Sequence, residues 1–237
     1  MGFKKSMLTQ LQHDLKKHAS EEKARIYARF FKTGKGEYGE GDKFLGLTVP
    51  EQRALARKYT ALPLTEIKQL LDSKYHEHRL TGFIILVYKY EKAKENEKQN
   101  IIDFYIKNRH RANNWDLIDY VADKLLGKYL MDKDKSLLYE LAKSPSLWDR
   151  RIAIITTFEF IKSKKFDDTL RIAEMMLHDK HDLIHKAVGW MLREVGKRDQ
   201  AVEEEFLKKH SKQMPRTMLR YAIERFDKAK RESYLKK

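Results

Sequence analysis

Apolar residues recur at helical spacing along nearly the whole chain, and no run alternates with the period of two that a half-buried strand requires. That pattern restricts the chain to helix-on-helix folds. Residues 5–17 and 21–31 read as a first helix pair, with Ser20 as break and N-cap. Thr48-Val49-Pro50-Glu51 is a capping box with proline in the first turn, so a helix starts there and runs to about Tyr59. A short helix follows Pro63, then a long apolar one over 75–93 and another over 96–108. Asn114 caps a helix that opens at Trp115, has apolar positions Leu117, Ile118, Val121 and Leu125, and stops at Gly127. Residues 134–142, 147–163, 167–178, 182–195, 200–209 and 216–226 then alternate with short polar breaks. Ile152, Ile155, Phe158, Phe160 and Ile161 mimic a strand, but the length of their segment favours a helix.

These helices fall into pairs. Trp115-Asp116 and Trp148-Asp149 lie thirty-three positions apart, the length of one helix-pair repeat. The expected fold is all-α, with HEAT-like helix-pair repeats stacked into a curved superhelix (an α-solenoid), as one continuous domain over 1–237. Helix N-termini lining its concave face would meet phosphates well.

The composition, 41% hydrophobic and 36% charged with four prolines, suits a soluble folded chain. The net charge of +15 is spread along the chain rather than gathered in a tail. A folded domain this basic commonly faces a polyanion, and nucleic acid is the first candidate. The absence of cysteine excludes disulfides, iron–sulfur clusters and nucleophilic catalysis by thiolate. The longest apolar run, Phe83 to Tyr88, is far short of the ~20 residues that span a bilayer. Met1 to Ser6 lacks the apolar core of a signal peptide, so the expected location is cytoplasmic.

Residues 32–47 are the one irregular stretch and hold five of the ten glycines: Gly34, Gly36, Gly39, Gly41 and Gly46. Gly34-x-Gly36-x-x-Gly39 matches a phosphate-loop spacing. It follows a helix rather than a strand, however, and Glu37, Glu40 and Asp42 would repel phosphate. A mobile surface loop is the expectation. His178, His181 and His185 have helical spacings, but a helix break over 179–181 would misalign them as metal ligands, so no metal site is expected. No Gly-x-Ser-x-Gly elbow is present.

What remains is Trp115, Asp119, Trp148, Arg151 and Trp190. Trp115 and Asp119 are four apart and share one helical face near a positively polarised helix end. Ser146 caps a second such start, with Arg151 three after Trp148. A tryptophan in a helical repeat is more often core, and an Asp beside an Arg is often a plain ion pair. The pattern of Trp plus acid, twice, at helix starts is what raises the set above that. Gly189 before Trp190 allows close backbone approach, at a helix-propensity cost of about 1 kcal/mol.

Four segments resemble the DNA alkylation repair family of the AlkD type, which are HEAT-like-repeat DNA glycosylases. They are Phe44-Leu45-Gly46-Leu47-Thr48-Val49-Pro50-Glu51-Gln52-Arg53, Trp115-Asp116-Leu117-Ile118-Asp119, Trp148-Asp149-Arg150-Arg151, and Lys186-Ala187-Val188-Gly189-Trp190-Met191-Leu192-Arg193-Glu194. They span residues 44–194 in the family's order, and the last is the most specific. The resemblance implies Asp119 as catalytic carboxylate, Trp115 and Trp190 as cleft tryptophans and Arg151 as cleft arginine. Trp148, Lys186, Arg193 and Phe30 join Arg151 as expected DNA contacts. Two departures stand out: Asn114 occupies a place where some members carry another aromatic, and Phe30 stands where a tyrosine is expected. The glycine-rich loop is also longer than usual.

The chemistry implied is release of cationic N3- and N7-alkylated purines from duplex DNA. A cationic base leaves readily, so a general acid is not required. A carboxylate at Asp119 would stabilise the charge developing on the sugar and orient or deprotonate a water. Trp115 and Trp190 would hold the cationic nucleotide through their faces, each worth about 0.5–2 kcal/mol. Arg151 suits a backbone phosphate. The expected protein is a monofunctional glycosylase, a monomer on DNA, without metal, cofactor or membrane. The family is associated with capturing the lesion against an open cleft, where most glycosylases extrude the base into a pocket. The alternative is a non-catalytic helical-repeat scaffold that binds nucleic acid or a protein; an RNA-binding repeat protein shares the charge.

Overall fold

The structure, a computed structural model, describes residues 6–236. Their regular elements are all helices, and no strand occurs among the described residues; Lys43 and Tyr75 form one isolated bridge. Contacts divide the chain into two compact units, with the boundary between Val121 and Ala122. No helix among the described residues is long and apolar enough to cross a membrane.

The first unit contains α1 (Met7–Lys17), α2 (Glu21–Phe30), α3 (Val49–Lys58), α4 (Leu64–Leu71), α5 (His76–Lys92), α6 (Glu95–Asn108) and α7 (Trp115–Asp119). Its starts obey the sequence. Ser20 Oγ accepts from Lys23 N, and the Thr48–Glu51 box closes with Glu51 Oε2 accepting from Thr48 N at 2.7 Å. The start of the first helix at residue 5 lies outside the described residues. Helix α5 carries Phe83-Ile84-Ile85-Leu86-Val87 with no polar side and so must be covered on every face. It packs against α3, α4, α6 and α7, and all five residues are buried.

The second unit contains a π-helical turn (Asp123–Gly127) leading into α8 (Lys128–Leu130), then α9 (Ser136–Ala142), α10 (Leu147–Thr156), α11 (Phe158–Lys162), α12 (Asp167–Met175), α13 (Asp182–Gly196), α14 (Gln200–His210), α15 (Arg216–Ala222) and α16 (Lys228–Leu235). Its core is organised on α13. Ile184, Ala187, Val188, Met191, Leu192 and Val195 follow helical spacing, are buried, and meet α10, α12, α14 and α15. Gly189 is where α15 comes closest: a Cβ there would stand 2.4 Å from Met218 O and 2.5 Å from Tyr221 Cβ. Gly189→Ala therefore gains helix propensity yet is expected to destabilise the second unit by about 1–3 kcal/mol through overpacking. A melting temperature equal to or above that of the wild type would show that α15 yields instead.

Three boundaries differ from expectation. The segment 147–163 is two helices, because Thr157 Oγ1 donates to the Ile154 carbonyl at 2.7 Å and competes with the helix ladder. The Trp115 helix is a short turn, and Gly127 does not end a helix: the chain continues into Lys128. Glycine is needed there because a Cβ would lie 2.7 Å from Glu159 Cβ and 2.8 Å from Thr156 O. Helix α16 was not anticipated, although Asp227 caps it by accepting from Lys230 N.

Candidate functional site

Tyr27, Phe30 and Phe31 are spaced three and four apart, so the end of α2 presents one aromatic face. The Trp115 ring lies against it, 5.9 Å from Phe30 and 5.4 Å from Phe31. Phe31 and Phe44 stack nearly parallel at 5.3 Å, and each also stacks on the His76 ring, at 4.9 and 4.8 Å. Phe30 is 61% exposed. An aromatic surface therefore continues from Trp115 inward to His76.

His76 is 2% exposed and lies between two carboxylates. Its Nδ1 is 3.3 Å from Asp42 Oδ2 and its Nε2 2.7 Å from Asp116 Oδ2. Burial alone would lower its pKa. The charge of Asp116 and the hydrogen bonds to Asp116 and Asp42 outweigh burial and raise it to about 9, so the ring is an imidazolium at neutral pH. Arg79 Nη2 donates to Asp42 Oδ2 at 2.6 Å and to Asn113 Oδ1 at 2.9 Å, and Asn113 Nδ2 donates to Asp42 Oδ1 at 3.0 Å. Burial favours the neutral form of Asp42, but the His76 hydrogen bond and the Arg79 charge more than offset it and hold the pKa below its ordinary value.

This network corrects the reading of 32–47 as a mobile surface loop. Only 34–37 is an exposed surface stretch with purely local bonds. Gly39 N donates to Lys32 O, Lys43 pairs with the 74–76 backbone, and Leu45, Gly46 and Leu47 donate to the Glu77 carboxylate. Gly46 has φ +88°, and a Cβ there would lie 2.2 Å from Ser20 O, so no other residue fits. The loop grips the start of α7: Asn114 caps Trp115 through Oδ1, donates to Phe31 O through Nδ2, and is buried.

Helix α7 thus carries two carboxylates in different surroundings. Asp116 is held by His76. Asp119, one turn on, is half-exposed, as is Trp115. Phe30, Trp115 and Asp119 are the sequence-expected residues that the first unit brings to one neighbourhood.

In the second unit, Trp148 and Arg151 sit on α10, and Lys186, Trp190 and Arg193 on α13. Ser146 caps α10, its Oγ accepting from Asp149 N. Arg151 is buried, and its Nη1 donates to Leu183 O at 2.5 Å, joining α10 to α13. Its neighbour Arg150 pairs with Asp179 at 2.6 Å. Trp148 is half-buried. Trp190 is also half-buried, with its ring 5.8 Å from Phe158. Lys186 pairs with Asp182 at 2.7 Å and Arg193 pairs with Glu224. The histidines of 178–185 have local roles: His181 caps α13, accepting from Leu183 N, and His185 Nε2 donates to Asp179 O.

Sequence reasoning missed Asp42, Phe44, His76, Arg79 and Asp116 as one assembly. The spacing of Tyr27, Phe30 and Phe31 was available as a signal. Nothing local links Asp42 to Asn113.

The profile of the family described as "DNA alkylation repair enzyme" matches residues 11–226. No curated protein matches the chain. Among solved structures, one described as a predicted DNA alkylation repair enzyme from Enterococcus faecalis superimposes with a TM-score of 0.68. It is 16% identical, and the match covers 89% of this chain and 98% of that one, a likeness of fold. The profile match spans nearly the whole sequence, and the chain belongs to the family of DNA alkylation repair enzymes.

Proposed function

We propose that this repair enzyme is a monofunctional DNA glycosylase. It hydrolyses the N-glycosidic bond of cationic N3- and N7-alkylated purines in duplex DNA, acting in the cytoplasm as a monomer. The observation that carries the reading is the placement of Asp119 on α7, one turn after Trp115 and apart from the His76 network. Asp116 is committed to a buried imidazolium, whereas Asp119 stands half-exposed on the helix that begins with Trp115. A carboxylate so placed suits an oxocarbenium-like sugar and its attacking water. Trp115, on an aromatic surface, favours a positively charged base over a neutral one.

By the resemblance, Trp190 and Arg151 are also assigned catalytic roles, and Trp148, Lys186, Arg193 and Phe30 are assigned contacts to DNA. The net charge of +15 supplies affinity that is independent of sequence and falls steeply with salt. Selectivity follows the charge and lability of the lesion, so neutral damage such as uracil or hypoxanthine is a poor substrate.

The test is release of 7-methylguanine from methylated duplex DNA. The wild type is expected to release it, and Asp119→Asn to lower the rate by about a hundredfold or more at unchanged duplex affinity. Equal release by both proteins would remove Asp119 from the centre of the reaction. No release by either, with duplex binding intact, would favour a non-catalytic DNA-binding scaffold. Trapping of a covalent DNA adduct with borohydride would overturn the monofunctional assignment.

A further inference from the structure

The first unit contains a cavity of about 160 Å³ that none of the assigned catalytic residues lines. Its walls include Tyr27, Phe30, Phe31, Phe44, His76 and Asp116. A volume of this order accommodates one aromatic ring. Three features of the wall define what kind of ring.

Aromatic faces come first, and they already hold a cation. His76, protonated at neutral pH, lies against Phe31 and Phe44. The rings of Tyr27 and Phe30 stand edge-on to that pair, each within 6.2 Å of a member of it. Charge is the second feature. Among the groups that line the cavity and those joined to them by ion pairs, directly or through Asp42, Glu77, Asp116 and Asp42 are carboxylates, while His76 and Arg79 are cations. That set is one charge negative within a chain whose net charge is +15. A phosphate would be repelled here, and a cation would complete the balance. Third, Asp116 leaves an acceptor unused. Its Oδ2 takes the His76 bond, but its Oδ1 is buried with no donor of the protein against it. A buried carboxylate oxygen without a donor is costly, and a positive charge held nearby would offset that cost. Two other polar side chains of the wall are occupied: Glu77 accepts from three backbone amides, and Gln52 bonds Leu47 O and Thr81.

We infer that this cavity is a binding site for a flat organic cation of one ring, held by the aromatic faces and by the negative charge of Asp116. The inference goes beyond the glycosylase reading and does not depend on it. Base release from methylated DNA and small-molecule binding to the DNA-free protein are separate measurements, and either can fail alone.

The experiment uses the full chain and a pair of probes that differ in charge, benzamidinium and benzamide. Both are flat single rings with N–H donors. Titration followed by ligand- and protein-observed NMR is expected to show saturable binding of benzamidinium, with benzamide at least about tenfold weaker. Phe30→Ala removes an exposed ring that the fold does not need, and Asp116→Asn removes the charge while keeping the side chain's shape. Each is expected to weaken benzamidinium several-fold, with melting curves confirming that the protein remains folded. Trp190→Ala, in the second unit, is expected to leave the binding unchanged. Equal affinity for the two probes, absence of binding by either, or binding that ignores both Phe30→Ala and Asp116→Asn would overturn the inference. So would binding lost only in Trp190→Ala.

Discussion

Replacement of His76 by alanine is expected to destabilise the first unit by about 3–5 kcal/mol, because it leaves Asp42 and Asp116 buried around an absent cation. The stabilisation His76 provides has a definite pH window. Its pKa is about 9 in the folded protein against 6.5 unfolded, so its contribution is fully present below pH 6.5 and is lost as pH rises through 9. That shift corresponds to about 3 kcal/mol. Hydrogen exchange of peptides covering α5 and α7 reads the effect in the first unit alone. His76→Ala should raise exchange there at neutral pH, and the wild type should approach it above pH 9. Protection in α5 unchanged by the substitution would mean that the two carboxylates find other partners. In the proposed glycosylase reading, base release should fall with protection, since the same chain of bonds fixes α7, on which Asp119 lies.

Glu203→Gln is expected to act in the opposite direction, stabilising the second unit by about 3 kcal/mol at neutral pH. Glu203 is 2% exposed on α14, its Oε1 has no hydrogen-bond partner, and it packs directly over Gly196. Burial, with the Glu204 charge added, raises its pKa to about 8 against the pull of Arg193 and Lys230. The folded state thus holds a proton that the unfolded chain has released above pH 4.5. Stability from this group is complete below 4.5 and is lost as pH rises through 8. Glutamine matches the neutral acid in shape and does not titrate. Melting temperatures of wild type and variant should converge near pH 4 and separate progressively toward pH 8. Curves that stay parallel over that range would refute the assignment of the proton to Glu203.

Much of this architecture is written in local sequence. The caps at Ser20, Asn114 and Ser146, the box at Thr48 and the break before Asp182 all fall where the residues place them, because capping is a contact over two or three positions. The apolar run of α5 requires burial by itself. Local rules failed where a partner lies far along the chain. Gly127 looked like a helix stop and is instead a point of contact with Thr156 and Glu159. Residues 39–47 looked like a loop because glycine and acid dominate them, and only their distant partners, Glu77 and Asn113, reveal a packed segment. The network around His76 was similarly hidden. Resemblance pointed to Trp115 and Asp119, whereas nothing local revealed that Asp116 is bound by a histidine forty positions earlier.

The separation between Asp42 and Asn113, 71 positions, also constrains how the first unit comes together. Local helices form in microseconds, whereas contacts between distant positions wait for the chain between them to be ordered. The charged chain from Asp42 to Asp116 gains only when water has been excluded around it, so it closes after α3 to α6 have assembled. Interactions that form late are absent from the folding transition state, and their loss speeds unfolding far more than it slows folding. The network around His76 therefore works as a latch on an already folded body: it governs how long the first unit stays closed rather than how fast it closes.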